Sequence, residues 1–222
     1  MLRDADLAAI CAEVYTDPNP SIGDPGGVRM YLRPQADELV VCFAGTPVTG
    51  QDAIAAWMRD FDAWPQWFHG LGVLHRGFGE GALEAWAQLH RRLPTAPVYT
   101  FTGHSLGGAL ACGAAACYAS ANPRGLFRLT TFGCPRMVFW GNGRFTRLIG
   151  QAYAPPRFYQ RACDPVPHVP FKRLLWINWY QDWWLRIPIG EPLPGSDPAW
   201  LDPAANDQNH NIVLYEQDLR RK

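Results

Sequence analysis

A short run of β-branched and aromatic residues, 98–102, leads directly into the sequence Gly-His-Ser-Leu-Gly-Gly at residues 103–108, and a segment of small residues follows. This pattern predicts a strand, a sharp turn and a helix. A serine at the apex of such a turn has its hydroxyl raised clear of the sheet, as an activated nucleophile requires. Gly103 and Gly107 flank the apex, where a Cβ would collide with neighbouring backbone. We therefore predict a nucleophile at Ser105; the alternative is a glycine-rich turn with an incidental serine.

Strand and helix patterns alternate along the rest of the chain, which is typical of a mostly parallel sheet covered on both faces. Further strands are predicted at residues 28–33, 39–44, 126–132 and 157–161, and helices at residues 4–15, 51–60, 80–93, 109–121 and 141–149. At 222 residues the chain has the length of one domain. We therefore predict a single α/β domain over residues 1–222, with a mostly parallel central sheet and helices on both of its faces.

Two segments are rich in aromatic residues. Residues 61–74 are interpreted as irregular surface structure, and residues 48–74 are predicted to form a lid or aromatic surface segment. The alternative for Trp64 and Trp67 is that they pack inward and cover the core. Residues 174–184 contain a cluster of tryptophans and are predicted to form a strand that packs inward; the alternative is that these tryptophans contact a membrane interface.

Composition excludes several classes of function. Twenty basic and twenty acidic side chains balance, so the chain has no net field that would attract nucleic acid. The six cysteines form no C-x-x-C pair and lie in apolar or small-residue runs, so we interpret them as buried hydrophobic residues; we expect no metal and no cofactor. No apolar stretch is long enough for a transmembrane segment. The N-terminus has acids where a signal peptide would be basic, so we expect a cytoplasmic protein, with non-classical release left open.

Enzymes with a serine on a strand-to-helix turn place an Asp or Glu next along the chain, and then a His. The chain has no Asp or Glu between Ser105 and Asp164, and Asp164 follows a predicted strand in a proline-rich loop. His168 lies in that same loop, which would have to fold back on itself for the two to pair. His210, in a polar segment before an apolar run, is the better candidate for the base.

An acyl-transfer site also needs donors for the oxyanion of its tetrahedral intermediate. The backbone N–H of Leu106, first in the predicted helix, points to where that charge develops, and the helix dipole adds to it. A second donor is expected in the loop after the strand at residues 39–44, where Thr46 offers both its N–H and its hydroxyl.

Several short motifs occur in an order that resembles the class 3 lipases, the fungal-lipase-like α/β-hydrolases. The matching segments are Phe43-Ala44-Gly45-Thr46, Asp60, His75-Arg76-Gly77-Phe78, residues 103–108, Thr131-Phe132-Gly133-Cys134-Pro135-Arg136, Asp164-Pro165-Val166-Pro167 and His210. The resemblance implies Ser105 as nucleophile, Asp164 and His210 as its partners, and Thr46 with Leu106 as oxyanion donors. Ala44 departs from the pattern, since the family often has Arg there.

The resemblance also implies a function, namely a serine carboxylester hydrolase that cleaves acylglycerols or related lipid esters through an acyl-enzyme. The expected partner is the lipid ester substrate, with transient contact to a lipid interface. One alternative is a phospholipase A1 or an acyltransferase with the same triad. Another is a catalytically silent scaffold that binds lipid or protein.

Overall fold

The structure is a computed structural model that describes residues 1–23, 27–45, 64–139, 141–162, 164–169, 173–174, 177–178, 186–190 and 207–221. Its strands, in chain order, are β1 (Met30–Pro34), β2 (Leu39–Phe43), β3 (Pro65–Phe68), β4 (Gly72–His75), β5 (Tyr99–His104), β6 (Phe127–Phe132), β7 (Arg157–Arg161), β8 (Arg173–Leu174), β9 (Ile177–Asn178) and β10 (Arg186–Ile189). Its helices are α1 (Asp4–Glu13), α2 (Arg76–Leu89), α3 (Leu106–Ala121), α4 (Gly143–Ile149) and α5 (Ile212–Arg220).

A six-stranded sheet lies at the centre, in the order β1-β2-β5-β6-β7-β10. β1 is antiparallel to β2, and every other neighbouring pair is parallel. The prediction of a mostly parallel sheet is therefore confirmed. Because parallel strands end at the same edge, the segments that follow β2, β5, β6 and β7 all meet there.

Helices cover both faces of this sheet, as predicted. The apolar side chains of α2, α3 and α4 form one core with one face of the sheet, and those of α1 and α5 form a second core on the other face. α3 is made almost entirely of alanine, glycine and cysteine, so it lies close to its neighbours. A Cβ on Gly113, for example, would overlap the Cβ of Ala82 on α2.

The prediction of irregular structure for residues 61–74 is wrong for the part that the structure describes. β3 and β4 form an antiparallel hairpin, with Gly70 and Gly72 at φ of +82° and +85° where the chain turns. The hairpin has one buried face, since Phe68 is buried whereas Trp67 is 68% exposed. The rest of the predicted lid, the helix at residues 51–60 and most of the predicted strand at residues 174–184 lie outside the described residues.

A buried ion cluster anchors α1 at the edge of the sheet where β6 and β7 begin. Asp4 is 8% exposed and accepts hydrogen bonds from Arg128, Arg157 and the hydroxyl of Tyr159. Burial, together with the charge of Asp4, raises the pKa of Tyr159 to about 12, so its hydroxyl stays protonated and donates. This cluster and the predicted nucleophile lie at opposite ends of the strands.

Within the part of the chain that the structure describes, no helix is both long and apolar enough to cross a membrane. The cysteines among those residues are buried and form no disulfide with one another, in agreement with their interpretation as small hydrophobic side chains.

Candidate active site

Ser105 joins β5 to α3 and has a strained backbone. Its φ of +58° and ψ of −129° make it the one non-glycine residue with positive φ among the described residues. Such a conformation costs on the order of 1–3 kcal/mol and persists only when its surroundings hold it. Here the N–H of Ser105 donates to the carbonyl of Phe132 at 3.0 Å, and its own carbonyl accepts from the N–H of Gly108 at 2.9 Å.

Close backbone packing keeps the turn sharp, as the flanking glycines predict. A Cβ on Gly103 would overlap the backbone of Gly107, and a Cβ on Gly107 would overlap the carbonyl of Phe43 at the end of β2. The first turn of α3 is therefore pressed against β2. This contact fixes the position of Ser105 relative to the sheet.

Asp164 lies three residues after β7 and has no exposed surface. A buried carboxylate needs hydrogen-bond donors, and the side chain of Asp164 has three. The N–H of Val166 donates to it at 2.9 Å, Nδ1 of His210 lies 2.9 Å from both of its oxygens, and the hydroxyl of Tyr215 donates to Oδ2. Burial, followed by the charge of Asp164, raises the pKa of Tyr215 well above its usual value, so this hydroxyl remains a donor.

His210 ends a short 3-10 helix, Asp207–His210, directly before α5. The structure thus brings the predicted acid and base together. The ring of His210 is 4% exposed, and the nitrogen on the far side from Asp164, Nε2, is buried and has no hydrogen-bond partner among the described residues. An imidazole whose Nδ1–H is held by a carboxylate presents Nε2 as a proton acceptor. The ring is therefore oriented as a general base requires.

His104, the residue before Ser105, packs against His210. The centres of the two rings are 4.4 Å apart, and Nδ1 of His104 lies 2.8 Å from the hydroxyl of Tyr15 on the other side. Burial, followed by the nearby His210, lowers the pKa of His104 well below 6.5, so the ring is neutral. Burial also raises the pKa of Tyr15, so the Tyr15 hydroxyl donates and Nδ1 of His104 accepts. No local pattern in the sequence indicates this contact between His104 and the base.

Of the two predicted oxyanion donors, Leu106 is among the described residues and Thr46 is not. Leu106 is the first residue of α3, and the first N–H groups of a helix have no partner within it. Thr46 lies outside the described residues. Its predecessor Gly45 is described, and a Cβ there would lie 2.9 Å from the carbonyl of His104. The chain thus passes beside the nucleophile turn immediately before Thr46.

His168, the other candidate for the base, does not face Asp164. Its carbonyl accepts a hydrogen bond from Arg136, and its Nε2 contacts the amide of Gln160. The carboxylate is instead reached by His210, in the short helix before α5, and by Tyr215 on α5. The five residues from His210 to Tyr215 span the junction of two helices, so no helical spacing in the sequence indicated this third partner.

Gly133 lies against both Asp164 and His210, so a larger residue at this position would disturb their hydrogen bond. Gly133, at φ +56°, follows β6, and a Cβ there would lie 2.9 Å from Cε1 of His210 and 3.0 Å from Oδ2 of Asp164. We expect Gly133→Ala to displace the pair and to lower kcat about 100-fold, measured on a soluble p-nitrophenyl ester. Gly141→Ala is the matched control, because Gly141 has φ +84° and no atom of the described residues lies within 4 Å of its Cβ position. An equal loss of kcat in both variants would contradict the steric account.

The neutral state of His104 predicts a pH dependence of stability. In the unfolded chain its pKa is about 6.5, whereas in the folded chain burial lowers it well below that value. Below about pH 6.5 the unfolded chain therefore binds a proton that the folded chain does not, and the free energy of unfolding falls as the pH falls. In a His104→Gln variant this fall is shallower, by about 1.4 kcal/mol per pH unit below that point. Urea denaturation between about pH 5 and pH 8 measures both curves, and parallel curves would refute the prediction.

Comparisons with known proteins identify the family of the chain. The family model described as Lipase (class 3) matches residues 40–174, more than half of the chain. Lipase ZK262.3 of Caenorhabditis elegans is 26% identical over 155 residues, which are 67% of this chain and 42% of that protein. The chain therefore spans less than half of this curated relative.

Solved structures of fungal lipases have the same fold. The triacylglyceride lipase of Rhizomucor miehei matches with a TM-score of 0.56 and 18% identity, covering 76% of this chain and 73% of that one. The nonglycosylated LIP2 lipase of Yarrowia lipolytica matches with a TM-score of 0.59 and 18% identity, covering 91% and 82%. Together with the family match, these findings show that the chain belongs to the class 3 lipase family.

Proposed function

We propose that this chain is a serine carboxylester hydrolase that cleaves acylglycerols or related lipid esters through an acyl-enzyme. The observation that carries the proposal is the Asp164–His210 hydrogen bond, together with the packing of the His210 ring on His104, the residue before a serine held at positive φ. The relatives that the chain resembles are named as lipases, one of them as a triacylglyceride lipase, which supports the choice of a lipid ester.

In the first half of the reaction, Ser105 Oγ attacks the ester carbonyl while Nε2 of His210 takes the hydroxyl proton. Asp164 keeps the proton on Nδ1 of His210 and stabilises the imidazolium that forms. The oxyanion accepts hydrogen bonds from the N–H of Leu106 and from Thr46. His210 then returns its proton to the leaving alcohol, and an acyl-Ser105 ester remains.

Water completes the cycle. His210 takes a proton from a water molecule, the resulting hydroxide attacks the acyl carbonyl, and Ser105 Oγ leaves with the proton from Nε2. The net change is one ester and one water consumed, and one carboxylic acid and one alcohol formed. The neutral ring of His104 suits both halves, because a second positive charge 4.4 Å away would oppose the imidazolium.

Substitution of the nucleophile tests this proposal. We expect Ser105→Ala to lower kcat on p-nitrophenyl butyrate by about 10⁶ and to abolish covalent labelling by a fluorophosphonate. Mass spectrometry of the labelled wild-type chain then maps the adduct to Ser105. Ser120→Ala, an exposed serine at the end of the same helix, is the control and keeps full activity. Retained hydrolysis in Ser105→Ala, or an adduct elsewhere, would refute the proposed function.

Contact with a lipid interface belongs to the same proposal and rests on the hairpin of β3 and β4. Trp64 and Trp67 are 64% and 68% exposed, and tryptophan side chains favour the boundary between lipid and water. The hairpin is joined to the segment after β6 by a hydrogen bond of 2.8 Å from the N–H of His75 to the carbonyl of Met137. It therefore lies at the same edge of the sheet as Ser105.

If the two indoles contact lipid, their removal should lower activity on emulsified substrate but not on soluble substrate. We expect the double variant Trp64→Ser, Trp67→Ser to bind phosphatidylcholine vesicles less in sedimentation and to hydrolyse emulsified triacylglycerol more slowly. Its rate on soluble p-nitrophenyl butyrate stays unchanged, since neither side chain belongs to the triad. Tyr153→Ser removes an aromatic side chain of similar exposure and is the control. Equal vesicle binding by wild type and the tryptophan variant would exclude this surface.

A further inference from the structure

Arg161, the last residue of β7, carries a guanidinium that is almost completely buried behind the Asp–His pair. Its side chain is 3% exposed. Nε donates to Oδ2 of Asp218 on α5 at 2.6 Å, and Nη1 donates to Oδ1 of Asn209 at 3.0 Å. Asn209 is itself fully buried and directly precedes His210. One cation is thus bonded to two points of the segment that carries the base.

The same residue also reaches the acid. The backbone N–H of Arg161 donates to the hydroxyl oxygen of Tyr215 at 3.1 Å, and that hydroxyl in turn donates to Oδ2 of Asp164. The carbonyl of Arg161 accepts from the N–H of Asp164 at 3.3 Å. The main chain of Arg161 therefore orients the carboxylate, while its side chain orients the turn that holds the imidazole.

The Arg161–Asp218 ion pair occupies a space that only a glycine at position 190 leaves open. Gly190, directly after β10, has φ +67°, and a Cβ there would overlap the carboxylate of Asp218 and lie 3.0 Å from Nε of Arg161. A buried ion pair brings little net stability, because desolvation of the two charges offsets their attraction. An apolar pair of similar volume would serve stability as well or better. The directional bonds of a guanidinium, in contrast, fix several partners at once.

We propose that Arg161 is the positioning residue of the Asp–His pair. Through Asn209 it holds the turn at residues 207–210 against β7, so that Nδ1 of His210 meets Asp164. Asp218 neutralises the guanidinium and secures α5 to the same strand. The inference rests on the proposed triad, and it assigns Arg161 no contact with the substrate.

Asn209→Ala is the direct test, because it removes the link to the base and leaves the Arg161–Asp218 ion pair in place. We expect kcat on p-nitrophenyl butyrate to fall roughly 10- to 100-fold with KM unchanged. The melting temperature falls by only a few degrees, because one hydrogen bond of the buried guanidinium is lost. Fluorophosphonate labelling of Ser105 slows by the same factor. In the proton NMR spectrum, the low-field resonance of the His210 Nδ1–H bonded to Asp164 weakens or disappears, which a purely structural contact would not cause.

A second variant tests whether the loss of kcat comes from a misplaced base or from an unpaired buried charge. Arg161→Met combined with Asp218→Leu removes both charges together, so the fold is retained without an unpaired buried ion. We expect it to melt near the wild-type temperature and still to lose kcat as Asn209→Ala does. The matched control is Arg128→Met with Asp4→Leu, which removes the buried ion pair at the opposite edge of the sheet and keeps kcat.

The results are compared with those for Ser105→Ala, because that variant tests the proposed function independently of Arg161. If wild type is labelled at Ser105 and Ser105→Ala is inactive, the triad stands and the positioning role is tested alone. Wild-type kcat in Asn209→Ala would overturn the proposal. The proposal would also be overturned if the two double variants lost kcat to the same extent and lost melting temperature to the same extent.

Discussion

Asp164 is a carboxylate without exposed surface, and most of the candidate site consists of the groups that compensate its charge. An ionised side chain that leaves water must be met by hydrogen-bond donors or by opposite charge. Here the donors come from three places in the chain: the N–H of Val166 in the same loop, Nδ1 of His210, and the hydroxyl of Tyr215 on α5. The requirement to satisfy one buried anion therefore brings the C-terminal segment to the end of β7. The orientation of the base follows from the burial of the acid.

The nucleophile side of the site depends on a different constraint, which is close backbone packing. Ser105 holds an unfavourable φ because β2, β5 and the first turn of α3 leave no room for another path. The two constraints meet at His104, whose backbone belongs to the nucleophile turn and whose ring packs on His210. The nucleophile turn and the base are thus in direct contact, so neither half of the site is independent of the other.

The sequence predicted the parts of this site that arise from local chemistry. The nucleophile turn follows from small residues on both sides of Ser105, and Asp164 follows from the absence of any Asp or Glu between Ser105 and Asp164. The hairpin at residues 65–75 was missed, because proline and glycine occur where strand patterns normally alternate, and its stability comes from pairing with the segment after β6. The roles of Tyr15 and Arg161 depend on contacts across 89 and 48 positions of the chain, which no local pattern encodes.

Among the residues that the structure describes, two arginine–aspartate pairs are buried, and their positions show that the same kind of ion pair has a different role in each place. The pair of Arg128 and Asp4 joins β6 to α1 where the strands begin, and its remaining partners, Arg157 and Tyr159, belong to the scaffold. The pair of Arg161 and Asp218 lies where the strands end, and its further partner is Asn209 beside the base. Since the desolvation cost is comparable in the two cases, the difference lies in what each guanidinium holds in place. At the first site a lost pair loosens a helix, whereas at the second it alters the distance over which a proton must move.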